Sequence, residues 1–92
     1  MIYLDNSATT RVRPQVLEAM LPYLSESYGN PSSIHTLGRS ARAAVDNARR
    51  QVASFLGCQP SEVYFSSCAT MSNNVALLGR ARFVEAFNYF HN

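Results

Sequence analysis

Lysine is absent from the 92-residue sequence, whose eight basic residues are all arginines, so no step that needs a lysine amine can run on these residues. Cysteine is scarce. Cys58 and Cys68 have no CxxC spacing and no secretory context, which indicates neither a disulfide framework nor a zinc site. Long apolar runs are missing too. None approaches the roughly 20 residues that span a bilayer, and Met1-Ile2-Tyr3-Leu4-Asp5 lacks the basic flank and apolar centre of a signal peptide. The expectation is a cytoplasmic protein. An excess of one charge is also lacking: the net charge is +2, with six carboxylates interleaved, which points to neither nucleic acid nor an anionic membrane as partner. No internal repeat or low-complexity tract occurs. What is present is ordinary globular composition, 47% apolar and 15% charged, enough for at most one small domain.

Hydrophobic spacing divides the chain into elements. Ile2-Tyr3-Leu4 reads as a short strand or extended arm, ended by the turn-forming Asp5-Asn6-Ser7. Pro14 suits a first helical turn, and Val16, Leu17, Met20, Leu21 and Leu24 follow at helical period. Pro22 inside that pattern should kink or shorten the helix near Leu21. Tyr28-Gly29-Asn30-Pro31-Ser32-Ser33 has loop composition. A second helix is expected over Leu37–Leu56, with Gly57 placed to stop it. Its polar face carries Arg39, Arg42, Arg49 and Arg50, but Asp46, four residues from Arg42 and Arg50, breaks that stripe and favours a solvated face over a phosphate-binding one. Val63-Tyr64-Phe65 reads as a strand buried on at least one side. From Ser72 a third helix is expected, through Val75, Ala76, Leu78, Phe83, Val84 and Phe87, weakened by Gly79.

A strand, a loop of small hydroxyl residues and then a helix start form an arrangement that can hold an anion. The first helical N–H groups are unpaired, the helix dipole places partial positive charge there, and small side chains permit close approach. Ala69 and Thr70 fall at that start. The same composition also describes an ordinary helix cap.

Three segments extend the reading: Tyr3-Leu4-Asp5-Asn6-Ser7-Ala8-Thr9-Thr10, then Tyr28-Gly29-Asn30-Pro31-Ser32-Ser33-Ile34-His35, then Val63-Tyr64-Phe65-Ser66-Ser67-Cys68-Ala69-Thr70-Met71-Ser72-Asn73-Asn74. In this order and at these separations the sequence resembles, over residues 1 to about 84, the N-terminal part of cysteine desulfurases. These are the NifS/IscS-like branch of class V aminotransferase-fold enzymes. The resemblance implies an α/β fold: an N-terminal fragment of a fold type I pyridoxal-phosphate (PLP) transferase, with an arm, two or three helices, at least one buried strand and an incomplete sheet. It implies a single partial domain, with residues 1–25 forming the arm and first helix and 36–92 beginning the large cofactor-binding domain. The implied activity removes sulfur from L-cysteine, leaving alanine and an enzyme persulfide for iron–sulfur cluster assembly. Its implied cofactor is pyridoxal 5′-phosphate, whose phosphate is held by the residues matching Ala69 and Thr70. A homodimer, a complementing desulfurase chain and an iron–sulfur scaffold protein are the implied partners.

Departures from the pattern are specific. Cys68 stands where the family has Gly, Met71 where it has Glu, and Ser7 where it often has Ala. The family's Schiff-base lysine, ring-stacking histidine and sulfur-accepting cysteine belong to later segments, so no catalytic residue is assigned here. His91 and Cys58 do not fill those roles, and His35 matches the family loop but serves equally as a structural histidine. The expectation is a truncated, desulfurase-like protein inactive alone. The alternatives are half of a split enzyme, or a non-catalytic interaction module docking on a desulfurase or scaffold. Cys68 has two readings of its own, a nucleophilic helix-terminal thiol or a neutral substitution.

Overall fold

A computed structural model describes the backbone of residues 1–91 and the side chains of all of these except 87 and 89–91. The side chains of Phe87 and His91 therefore lie outside the described residues. Among the described residues there are three helices, α1 (Pro14–Leu24), α2 (Thr36–Leu56) and α3 (Ala69–His91), with a 3-10 turn at Pro60–Glu62. The chain forms two compact units, Met1–Pro60 and the residues from Ser61 onward.

The α/β expectation, with at least one buried strand in an incomplete sheet, is overturned: among the described residues there is no strand and no sheet. A β-strand exists only within a ladder, so the β-branched and aromatic character of Val63-Tyr64-Phe65 does not create one by itself. Residues 63–66 have no regular structure. Only Val63 there is buried, while Tyr64 is 83% exposed. The arm likewise forms no strand. It folds into a turn over residues 6–8 in which Ala8 and Thr9 donate N–H bonds to the Asp5 carbonyl (3.1 and 3.3 Å). The Tyr3 hydroxyl braces this turn from 2.9 Å off the Asp5 carbonyl and 2.7 Å off Thr9 Oγ1.

Helix α1 opens on Pro14 and continues through Pro22 to Leu24, beyond the expected break near Leu21. Proline forfeits one intrahelical bond, and the helix ends within the next turn: Ser27 donates its N–H to the Pro22 carbonyl at 2.8 Å. Helix α2 follows its hydrophobic period to Leu56 and stops at Gly57, whose φ of 72° is the left-handed conformation that glycine adopts without strain. The Gly57 and Cys58 N–H groups cap the last carbonyls at Ser54 and Ala53. Along its polar face Arg42 Nε lies 3.5 Å from Asp46 Oδ2, an exposed ion pair one turn apart.

Burial is sparse. Among the described residues the buried apolar ones are Ala41, Ala53 and Val63, and α1 buries none. Helical apolar faces therefore stand largely in solvent, Leu24 at 71% and Leu77 at 71% among them. Among the described residues no helix is long and apolar enough to cross a membrane.

Candidate functional site: two helix starts

Two loops that carry family motifs each lead into a helix. In the first, Asn30 organises a turn: its Oδ1 accepts from the Ser32 N–H at 2.9 Å and its carbonyl from the Ser33 N–H at 2.9 Å. This turn lies directly on the first turn of α2. A Cβ on Gly29 would run into the Leu37 carbonyl, and one on Gly38 would meet the Ser33 carbonyl and stand 2.7 Å from the Asn30 carbonyl. Both glycines are present because backbone meets backbone there. His35 closes the helix start, its Nδ1 accepting from the Gly38 N–H at 3.3 Å. That bond satisfies one of the N–H groups left unpaired at a helix N-terminus. His35 is thus a helix cap. Histidine is not among the residues usual in that role, so only its position three residues before Gly38 gave a signal.

The second loop holds the residues expected to face the cofactor phosphate. Helix α3 begins at Ala69, three residues earlier than the apolar period indicated, so Ala69 and Thr70 are its first two residues. Cys68 immediately precedes it, and its carbonyl accepts the first helical bond, from the Ser72 N–H at 3.1 Å. Ser66 Oγ bonds the Cys68 carbonyl at 3.2 Å and also the Ser72 hydroxyl. The Ser67 hydroxyl lies 3.4 Å from Met71 Sδ and 3.9 Å from Cys68 Sγ. A hollow of about 550 Å³ opens beside this start, walled by Tyr64, Phe65, Met71 and Val75 among others.

The Cys68 thiol is exposed, and its pKa is lowered below the ordinary thiol value. Hydrogen bonding from the Met71 backbone contributes most, followed by the Ser67 hydroxyl, with a further contribution from the Thr70 backbone. These are the second and third N–H groups of α3, the pair that an N-cap side chain engages. Cys68 thus stands directly before α3 as His35 stands before α2. Among the described residues only Gly57 lies in the left-handed region, so Cys68 adopts its backbone conformation without strain. Among the described residues no three of His, Cys, Asp and Glu stand together as a metal would require. Cys58 is a second free thiol, partly buried just past the α2 stop.

The family model for aminotransferase class-V matches residues 2–88. The chain belongs to that family, which is PLP-dependent. Within it, the chain is similar to cysteine desulfurases: it is 58% identical over 77 residues to cysteine desulfurase 2 of Trichormus variabilis, covering 84% of this chain and 19% of that protein. It is 53% identical over 86 residues to a cysteine desulfurase of Homo sapiens, covering 92% of this chain and 19% of the relative. A solved NifS-like protein superposes with a TM-score of 0.87 at 47% identity, over 92% of this chain and 23% of that one. The chain thus spans about a fifth of the length of the curated relatives it matches.

The α3 start suits the phosphate of such a cofactor in kind, having small residues, backbone N–H donors and the positive end of a helix dipole.

Proposed function

We propose that these residues are the arm and phosphate-facing segment of a cysteine desulfurase, with Ala69 and Thr70 the positions that meet the phosphate of pyridoxal 5′-phosphate. The activity served is removal of sulfur from L-cysteine, leaving alanine and a persulfide that feeds iron–sulfur cluster assembly, in the cytoplasm. When bound, the cofactor supplies the electron sink for bond cleavage next to the amino-acid nitrogen. Residues 1–25 contribute the arm and first helix, and residues 36–92 open the large cofactor-binding domain. What this chain's residues do is local: Asn30, Gly29 and Gly38 fix the first loop, His35 holds α2, and the α3 start presents backbone donors. The amine that the chemistry calls for comes from a complementing segment, since these residues include no lysine.

One observation carries this reading: the helix start at Ala69 follows the polar loop in a chain 58% identical to a cysteine desulfurase. Mixing the chain with the downstream, lysine-bearing part of a cysteine desulfurase tests it. A stable complex on size-exclusion chromatography is expected, with alanine formed from L-cysteine at a rate neither piece shows alone. Two pieces that elute separately and stay inactive at saturating cofactor end this reading.

A second reading rests on the exposed apolar side chains of the helices, Leu24 at 71% and Leu77 at 71% among them. On it, the chain is a non-catalytic module that docks on an intact desulfurase or its iron–sulfur scaffold. Co-elution with the intact enzyme, without any gain in alanine formation, separates this reading from the first.

A further inference from the structure

Charge is unevenly placed along this chain. The net charge is +2, yet α2 alone holds four arginines, Arg39, Arg42, Arg49 and Arg50, against the single carboxylate of Asp46. At the helical angle of about 100° per residue, these five positions fall within an arc of about 100°, with Arg49 at its edge. The other side of α2 is apolar: Ala41, Ala44, Val45 and Ala48 line, with Tyr23 and Tyr28, a groove of about 360 Å³. The arginine face is therefore turned away from the packing of α2, and Arg39, Arg42 and Arg50 are exposed.

Pairing within the chain leaves most of this charge uncompensated. Arg42 meets Asp46 through one nitrogen, Nε, at 3.5 Å, without the two-pronged contact that makes an arginine pair strong. Among the described residues neither Arg39 nor Arg50 forms an ion pair. Those two stand three helical turns apart, about 16 Å along the axis. Arginine, with its rigid planar fork, is the basic residue enriched at protein interfaces, where lysine is depleted. This chain uses arginine alone. The sign of Asp46, between the two ends of the face, selects among anionic partners. An unbroken row of phosphates, as in nucleic acid, sets one of its charges against that carboxylate, whereas a protein helix can place either sign at each turn.

We propose that the arginine face of α2 docks an acidic helix of a partner protein, with carboxylates about three turns apart to meet Arg39 and Arg50 and a basic residue between them to meet Asp46. The face lies on a different element from Ala69 and Thr70, so the proposal stands independently of the function proposed above.

The probe is a synthetic alanine-based helical peptide with glutamates at both ends of a three-turn stripe and a lysine midway. A second peptide has the same composition with its charges dispersed around the helix. Binding of each labelled peptide to the full chain is followed by fluorescence anisotropy at low ionic strength, with circular dichroism confirming that each variant keeps its helices. The striped peptide is expected to bind at least tenfold more tightly than the dispersed one. Reversing both ends of the face, Arg39→Glu with Arg50→Glu, is expected to abolish that preference, while Arg80→Glu with Arg82→Glu on α3, an equal change in net charge, leaves it intact. Equal affinity of the parent for the two peptides overturns the proposal, because arrangement then plays no part. A preference that survives the α2 reversal overturns it as well, since the face is then elsewhere. A duplex oligonucleotide that binds more tightly than the striped peptide, and is lost on the α2 reversal, also overturns it, by making the partner a polyphosphate.

Discussion

Two helix starts in this chain meet the same physical problem, backbone N–H groups with no intrahelical partner, and solve it with different atoms. At α2 the acceptor is the His35 ring nitrogen, in a loop that keeps the family pattern and lies tightly against the helix. At α3 the start is braced by Ser66, whose hydroxyl bonds the Cys68 carbonyl and the Ser72 hydroxyl, in a loop that departs from the pattern at Cys68. The first cap is reinforced by packing: Gly38 is buried, and Gly29 and Gly38 admit no Cβ. The second is a set of serine hydroxyl bonds beside an exposed thiol. A helix start built on packing is fixed in geometry, while one held by exposed hydroxyls competes with water for every bond.

The largest expected effect tests the packed start. Gly38→Ala forces a Cβ against the Ser33 and Asn30 carbonyls, which are backbone and cannot turn aside. A loss of about 3 kcal/mol is expected, read as a lowered midpoint in urea denaturation followed by circular dichroism. The same change in α3 has the opposite sign. Gly79 has open space where its Cβ would be, so Gly79→Ala should stabilise α3 by about 1 kcal/mol through helix propensity alone. If both substitutions act alike, the contrast between packed and unpacked helices is wrong. His35→Ala comes next in size. It should cost about 1 kcal/mol, with His35→Asn recovering most of it, because asparagine restores the cap acceptor. A loss that asparagine does not recover would show that His35 acts by something other than its acceptor.

What the sequence made legible follows the range of the forces involved. Helix α2 and its Gly57 stop were readable because a helix is satisfied by bonds within itself, and both its apolar period and its αL residue are local. The three motifs and their intervals also identified the family correctly. The Val63 to Phe65 strand was misread because side-chain character reports only a tendency, whereas pairing is decided by other segments. The apolar period of α3 begins only at Ser72, whereas the loop-to-helix pattern puts Ala69 and Thr70 at the helix start, where they are found. The cap of α2 was hardest to see. His35 reads as a family-loop residue or equally as a structural histidine, and the sequence does not say which, because a cap is defined by which N–H a side chain reaches and not by residue type.

The smallest expected effect distinguishes the two helix starts most sharply, because it depends on pH. Hydrogen bonds that favour the thiolate depress the Cys68 pKa in the folded chain, so the stability they contribute is fully present above the unfolded thiol value of about 8.5. That contribution fades as pH falls through the lowered folded-state value. Cys68→Ala should therefore weaken the α3 start at pH 9.5 and differ little from the parent at pH 5. In a Cys58→Ser background, the alkylation rate of Cys68 by iodoacetamide should rise with a midpoint below the ordinary thiol range. A midpoint within or above the ordinary thiol range would mean that the loop does not favour the thiolate, and the pH dependence expected of Cys68→Ala would go with it.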